Sequence, residues 1–258
     1  MHQFGLMYSI TMRSLERPEL PALFRTAAHP LRWALLTALA RGDHRVRELV
    51  DLVGEPQNLV SYHLRQLRSA GFVGTRRSTF DGRDTYYRLD LSRCAAAFGA
   101  AAAALHPALA TSATGHEPTA GSVLFLCTGN SARSPIAAAL LRRHCDRRVR
   151  IASAGSHPKP EFHPYTRRIL HEDYRIDTVE PRPRSLTTVA GRHFDHVITL
   201  CDKVREYPHN IPATTSTHWS TADPATADYL EFRRITTELD TRIRYLLPTL
   251  APHPEEPA

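Results

Sequence analysis

The densest run of chemistry-bearing side chains is Cys127-Thr-Gly-Asn-Ser-Ala-Arg-Ser134. Between Cys127 and Arg133 stand Thr128, Gly129, Asn130, Ser131 and Ala132, mostly small residues that let the backbone curl. A loop curled at the start of a helix turns several N–H groups inward, and such a cradle binds a tetrahedral oxyanion. The same amides, the helix dipole and Arg133 favour a thiolate on Cys127, lowering its pKa and making it a nucleophile at neutral pH. Arg133 can grip two anion oxygens in a fork that lysine cannot imitate. Ser134 can donate its hydroxyl to the thiolate. The chemistry expected of this segment is attack by Cys127 on an oxyanion held by residues 128–134.

Two elements must position that loop. VLFLC before it is a short continuous apolar run, as in a buried parallel strand. SPIAAALLRRH after it reads as a helix whose start is signalled by Ser134 and Pro135. Further strands are expected near 149–153, 195–200 and 214–218, alternating with helical segments, so residues 122–250 read as an α/β domain. The loop then lies at the carboxyl end of the first strand, where such sheets bind ligands.

The first half has a different pattern. LFRTAAHPLRWALLTALARG carries helical periodicity, with Pro30 marking a start and Gly42 a stop, and VRELVDLVG is a short amphipathic helix. In EPQNLVSYHLRQLRSAGFV, Val60, Leu64 and Leu67 share one face, while Asn58, Ser61, Tyr62 and Arg65 share the other. Two short helices of this kind form a helix-turn-helix, the second offering hydrogen-bonding side chains to DNA. Two strand-like runs around Asp81-Gly82 read as a hairpin, and Arg76, Arg77 and Arg83 on it are expected to meet phosphates.

The 258 residues suffice for two ordinary domains. HPALATSATGHEPTAGS, residues 106–122, reads as containing a linker at 107–121 between domains at 1–106 and 122–250, flexible enough to leave them uncoupled. Residues 251–258 read as a disordered tail. The net charge of +7 suits an anionic partner, and in residues 1–110 there are 14 arginines against nine acidic residues. Four scattered cysteines do not make a disulfide framework, so a reducing, cytoplasmic setting is expected, and no apolar run suggests a membrane span. His29, His44 and His63 lack metal-ligand spacing, and no bound metal or cofactor is expected.

Residues 20–105 resemble the ArsR/SmtB family of winged-helix repressors through AAHPLRWALLTAL, NLVSYHLRQLRSAGFV and TYYRLDL. The resemblance implies a homodimer on a double-stranded DNA operator, with the terminal helices, including residues 91–105, paired across the interface. Members that sense arsenite or zinc use clustered ligands, whereas VRELVDLVG has no cysteine and Cys94 stands alone. Cys94 is expected to be a buried small residue.

Through CTGNSARS at a strand-to-helix switch, residues 121–248 are identified as a member of the low-molecular-weight tyrosine phosphatase superfamily, which includes thioredoxin-type arsenate reductases. That implies a four-stranded parallel sheet with helices on both faces. It also implies that Asp223, in the Asp-Pro pair of HWSTADPA, acts as general acid on the departing oxygen. Cys201 in HVITLCDKV resembles the second redox cysteine of the reductases, and Ala225 and Thr226 replace the aromatics usual in phosphotyrosine enzymes. Both features favour arsenate over a phosphotyrosine substrate. The relay is incomplete, because Tyr207-Pro208 stands where a third cysteine is usual and Ala132 replaces a common loop cysteine. Two routes remain: a Cys127–Cys201 disulfide reduced from outside, or direct attack by a small thiol on the arsenic adduct, which we rank first. Either needs an external thiol reductant (a mycothiol, glutathione or thioredoxin system) and a redoxin or low-molecular-weight thiol as partner. The alternatives are a phosphatase acting on phosphate esters and a non-catalytic repressor that senses arsenate or phosphate. Cys145 has no assigned role.

Overall fold

The computed structural model describes residues 21–106, 121–145, 149–177, 180–206 and 211–250. The expected tail lies outside these residues, as does nearly all of the expected linker.

The N-terminal half runs α1 (Ala22–Ala27), α2 (Pro30–Ala40), β1 (His44–Arg45), α3 (Val46–Val53), α4 (Gln57–Ser69), β2 (Val73–Arg77), β3 (Thr85–Leu89) and α5 (Leu91–Leu105). Its antiparallel sheet has the order β1-β3-β2. Pro30 opens α2, and His29 Nδ1 accepts the free N–H of Leu31 at 3.2 Å. Helix α3 ends at Gly54, whose φ of 68° turns the chain toward α4. Val60, Leu64 and Leu67 face inward from α4 onto Leu35, Leu49 and Phe72, which commits the opposite face, with Asn58, Tyr62 and Arg65, to solvent. Burial of those three aliphatic side chains, worth about 2 kcal/mol each, fixes the rotation of the helix. Cys94 packs half-buried against this core.

The hairpin joins β2 to β3 with Val73 opposite Leu89 and Arg77 opposite Thr85. Its turn is longer than the Asp81-Gly82 pair alone, because the Ser78 hydroxyl accepts the N–H groups of Phe80 and Asp81, both at 3.1 Å. Strand alternation sends neighbouring side chains to opposite faces. Arg77 is accordingly exposed, whereas Arg76 points into the C-terminal half.

The C-terminal half runs β4 (Ser122–Cys127), α6 (Arg133–His144), β5 (Arg150–Gly155), α7 (Pro164–Tyr174), β6 (Phe194–Thr199), α8 (Asp202–Glu206), β7 (Ala213–His218) and α9 (Tyr229–Leu250). The sheet is fully parallel with the order β5-β4-β6-β7, and its strands lie within a residue or two of those expected. All six residues of the central strand β4 are buried, which accounts for its unbroken apolar run. Phe125 and Leu126 in β4, Ile136 and Leu140 in α6, and Phe232 and Leu239 in α9 share one core.

The two halves are packed together. Asp43, just after α2, receives Arg242 of α9 through both carboxylate oxygens, at 3.1 and 3.0 Å. Arg205 of α8 donates to Glu48 at 2.7 Å, Arg45 to Glu206 at 3.1 Å, and Arg88 pairs with Glu238. The Tyr86 ring lies 4.8 Å from that of His218. A flexible linker did not suggest this interface, which rests on charges far apart in the chain.

Candidate active site

The loop between β4 and α6 is shaped by bonds made on its outside. The carbonyls of Thr128, Gly129 and Ser131 accept N–H groups of His157, Lys159 and His163 at 2.8, 2.9 and 3.0 Å. In a planar trans peptide the next N–H points the opposite way, so those of Gly129, Asn130 and Ala132 turn inward. The Asn130 N–H indeed donates to Cys127 Sγ at 3.2 Å.

Asn130 has φ 43°, a left-handed conformation that asparagine tolerates better than most residues. Its side chain braces the loop. Nδ2 donates to Ser134 Oγ at 2.8 Å and to Ser153 Oγ at 3.0 Å, and Oδ1 accepts the Arg184 N–H at 2.7 Å. The end of β5 runs directly beneath, and a Cβ on Gly155 would stand 2.6 Å from Thr128 O and 2.8 Å from Asn130 N. Sequence reading missed Ser153 and Gly155. The only signal was a glycine at a strand end, which marks close backbone approach.

Cys127 is buried, with Ser134 Oγ 3.0 Å from its sulfur. Burial pushes its thiol above the ordinary value; Arg133 and Ser134 pull it down and the neighbouring Cys201 adds to the rise. Burial thus outweighs the lowering that the expected groups supply, and the lowered pKa expected of the loop is not the balance, although the groups that favour thiolate are in place. Arg133 donates to Thr221 O at 3.3 Å and to Asp223 Oδ1 at 3.4 Å, both long. Among the described residues it has no tighter partner.

Leu200 extends the pairing of β6 with β4 by donating its N–H to Leu126 O at 2.7 Å, which brings the next residue level with the loop between β4 and α6. Cys201 is buried there, its Sγ 3.2 Å from Thr128 Oγ1. Asp223 stands at the rim, 46% exposed, and accepts the Ala225 N–H at 3.2 Å at the head of a single 3-10 turn, Pro224–Thr226. Cys127, Arg133, Cys201 and Asp223 thus converge from separate segments. No group of three or more metal-ligating side chains occurs among the described residues.

Residues 122–255, just over half of the chain, match the family model for the low molecular weight phosphotyrosine protein phosphatase. The chain belongs to that family. Ahead of this phosphatase-family domain, residues 29–75 match the model for bacterial regulatory proteins of the arsR family. An arsenate reductase of Bacillus cereus is 30% identical over 127 residues, covering 48% of this chain and 91% of the relative. Among solved structures, an arsenate reductase from Archaeoglobus fulgidus has 29% identity and a TM-score of 0.42 over 48% of this chain and 98% of its own. An arginine phosphatase from Geobacillus stearothermophilus has 26% identity and a TM-score of 0.42 over 50% and 92%.

The expected DNA-binding residues divide into two groups. Asn58, Tyr62 and Arg65 are exposed on α4 with Ser61 half-buried beside them, and Arg77 and Arg83 are exposed on the wing. Arg76 is a correction: its Nε donates to Ser220 O at 2.9 Å and its guanidinium lies 3.6 Å from Asp202. It serves the interface between the halves, since the side chains of β2 alternate and only one face looks outward.

Proposed function

We propose that the chain is a DNA-binding regulator whose phosphatase-family half reduces arsenate with external thiols. The observation that carries the reading is the second buried thiol at the anion loop, Cys201, within 3.2 Å of the Thr128 hydroxyl. Hydrolysis needs only water at this point, whereas reduction needs a second sulfur to accept the bond. The arsenate reductases of Bacillus cereus are similar over this half.

Arsenate is held by the inward N–H groups of the loop and the Arg133 fork, with Ser134 against the attacking sulfur. Cys127 Sγ bonds to arsenic, and one arsenic–oxygen bond breaks as Asp223 protonates the departing oxygen to water. Cys201 sulfur then attacks Cys127 Sγ. The sulfur–sulfur bond forms, and the pair of electrons of the sulfur–arsenic bond stays on arsenic, which leaves as arsenite. An external dithiol, or two small thiols acting with a redoxin, returns two electrons to the Cys127–Cys201 disulfide. The position of Cys201 favours this route over direct attack by a small thiol, the route that ranks first on sequence alone.

The helix-turn-helix half reads operator DNA through Asn58, Ser61, Tyr62 and Arg65, with Arg77 and Arg83 on phosphates. Exposed Phe98 and Leu105 on α5 suit a homodimer contact. The cytoplasm provides the reductant.

Purified protein supplied in turn with thioredoxin, glutathione/glutaredoxin and mycothiol/mycoredoxin systems tests the enzyme. Arsenite formation lost in both Cys127→Ser and Cys201→Ser is expected. Arsenite formation that survives Cys201→Ser selects the direct thiol route. Absence of arsenite with every donor, alongside Cys127-dependent hydrolysis of p-nitrophenyl phosphate, turns the reading to a phosphatase, as the family's description allows.

A further inference from the structure

Ser220 lies three residues before Asp223, outside the anion loop and outside the turn that caps Asp223. It is 1% exposed, and each of its polar atoms is held. Its N–H donates to Asp43 Oδ2 at 2.8 Å, and its carbonyl accepts Arg76 Nε at 2.9 Å. Its hydroxyl bonds Arg76 Nη2 and donates to Asp202 Oδ1 at 2.7 Å. Two of the three holders, Asp43 and Arg76, belong to the winged-helix half. Just upstream, the Asp43 N–H donates to His218 O at 2.8 Å.

From Ser220 the chain runs directly into the anion site. Thr221 O accepts Arg133 Nη1, and Asp223 faces Arg133 Nη2. Among the described residues, the Asp223 side chain makes only the bond to the Ala225 N–H and the long contact with Arg133, and nearly half of it is in solvent. The backbone beneath must therefore set where its carboxyl stands. Three residues span at most about 10 Å of chain, too short to absorb a shift at Ser220. Arg76 is itself fixed from below by Asp202, which also accepts the N–H and hydroxyl of Thr79 at 2.7 and 3.0 Å.

We infer that Arg76, a wing residue of the DNA-binding half, is a positioning residue for the proton donor Asp223, acting through its two-pronged hold on Ser220. The inference rests on the reading of Asp223 as that donor. The winged-helix half then completes the active site of the other half, and the wing arginine that sequence reading assigned to DNA phosphates serves catalysis.

The experiment is a double-mutant cycle on the full chain, with Arg76→Gln, Asp223→Asn and the pair, read as kcat and KM for arsenite formation and for p-nitrophenyl phosphate hydrolysis. Arg76→Gln should lower kcat about tenfold, the scale of a small misplacement of a reacting group. KM, and phosphate affinity measured by calorimetry in a Cys127→Ser background, should stay within about twofold, because the loop that binds the anion is untouched. On top of Asp223→Asn, Arg76→Gln should cost less than about twofold more. Arg76→Lys keeps a cation beside Asp202 but cannot hold both Ser220 oxygens, and should give the same pattern at smaller size; it serves if Arg76→Gln does not fold. An unchanged kcat, or a full tenfold loss that persists in Asp223→Asn, overturns the inference and leaves the proton-donor reading standing. If Asp223→Asn alone has no effect, that reading falls and the inference with it. If arsenite never forms but hydrolysis does, only the reductase reading fails and the cycle is judged on hydrolysis; inactivity in both reactions overturns both.

Discussion

Asn130 combines a left-handed backbone with a side chain bonded at both ends, so the loop is braced in one shape. Preorganisation of this kind spares the reorganisation that a floppy cradle would undergo on binding. The same bracing fixes Ser134 Oγ against Cys127 Sγ. That hydroxyl pulls the thiol pKa down while burial pushes it up. Ser134→Ala should therefore raise the Cys127 pKa further and leave less thiolate at neutral pH. Iodoacetamide modification of Cys127, followed by mass spectrometry across the neutral to alkaline range, should be slower in the variant near neutral pH and shift to higher pH. A profile that stays in place or moves down would show that the hydroxyl does not stabilise the thiolate. Gly155 bears on the loop from outside, and its added Cβ would meet backbone atoms, which cannot swing aside. Gly155→Ala should lower kcat by about 100-fold through displacement of the loop, with the chain still folded by circular dichroism.

At the level of elements, the strand-to-helix switch was legible because its signals are local: an apolar run, small loop residues, then Ser134-Pro135. Helix α4 was equally legible from its periodic apolar face. The wing was only half legible. Alternation along β2 guarantees that Arg76 and Arg77 point opposite ways, but which of them faces outward depends on what covers the other face. The solvent-facing pair, Arg77 and Arg83, makes a distinct prediction. Arg77→Ala and Arg83→Ala should each weaken operator binding about equally across sequences and reduce the salt slope of log affinity by about 1, measured by fluorescence anisotropy. A change of base preference instead would place them on base edges.

For the whole molecule, the interface joins two halves that match different family models through buried or half-buried charges. Asp43 is the central group, 3% exposed, with Arg242 on both of its oxygens and the Ser220 N–H beside them. Removing one member of a buried pair leaves the other uncompensated, at a cost of about 3 kcal/mol. Asp43→Ala should lower the urea midpoint and split a shared unfolding transition into two, one for each half, followed by tryptophan fluorescence and circular dichroism. A single transition at the wild-type midpoint would mean that the ion pair contributes nothing to docking. The Tyr86 hydroxyl, also at this interface, is buried without a hydrogen-bond partner among the described residues, and burial pushes its pKa up to about 12. Tyr86→Phe should accordingly leave stability unchanged or raise it by about 1 kcal/mol on the same urea curves.

Legible in the residues alone were the two kinds of fold, the rotation of α4, and the strand–loop–helix segment around Cys127 with its residue types. Each of these is written in neighbours a few positions apart, where helix and strand periodicity or a tight turn leaves one reading. Only the folded chain brings Cys201 beside Thr128, passes Gly155 under the loop, and turns Arg76 to Ser220 instead of outward. Those outcomes depend on strand order in a parallel sheet and on charge pairing between domains. Both are long-range choices, made when the folded surfaces meet, and they leave no periodic trace in the chain.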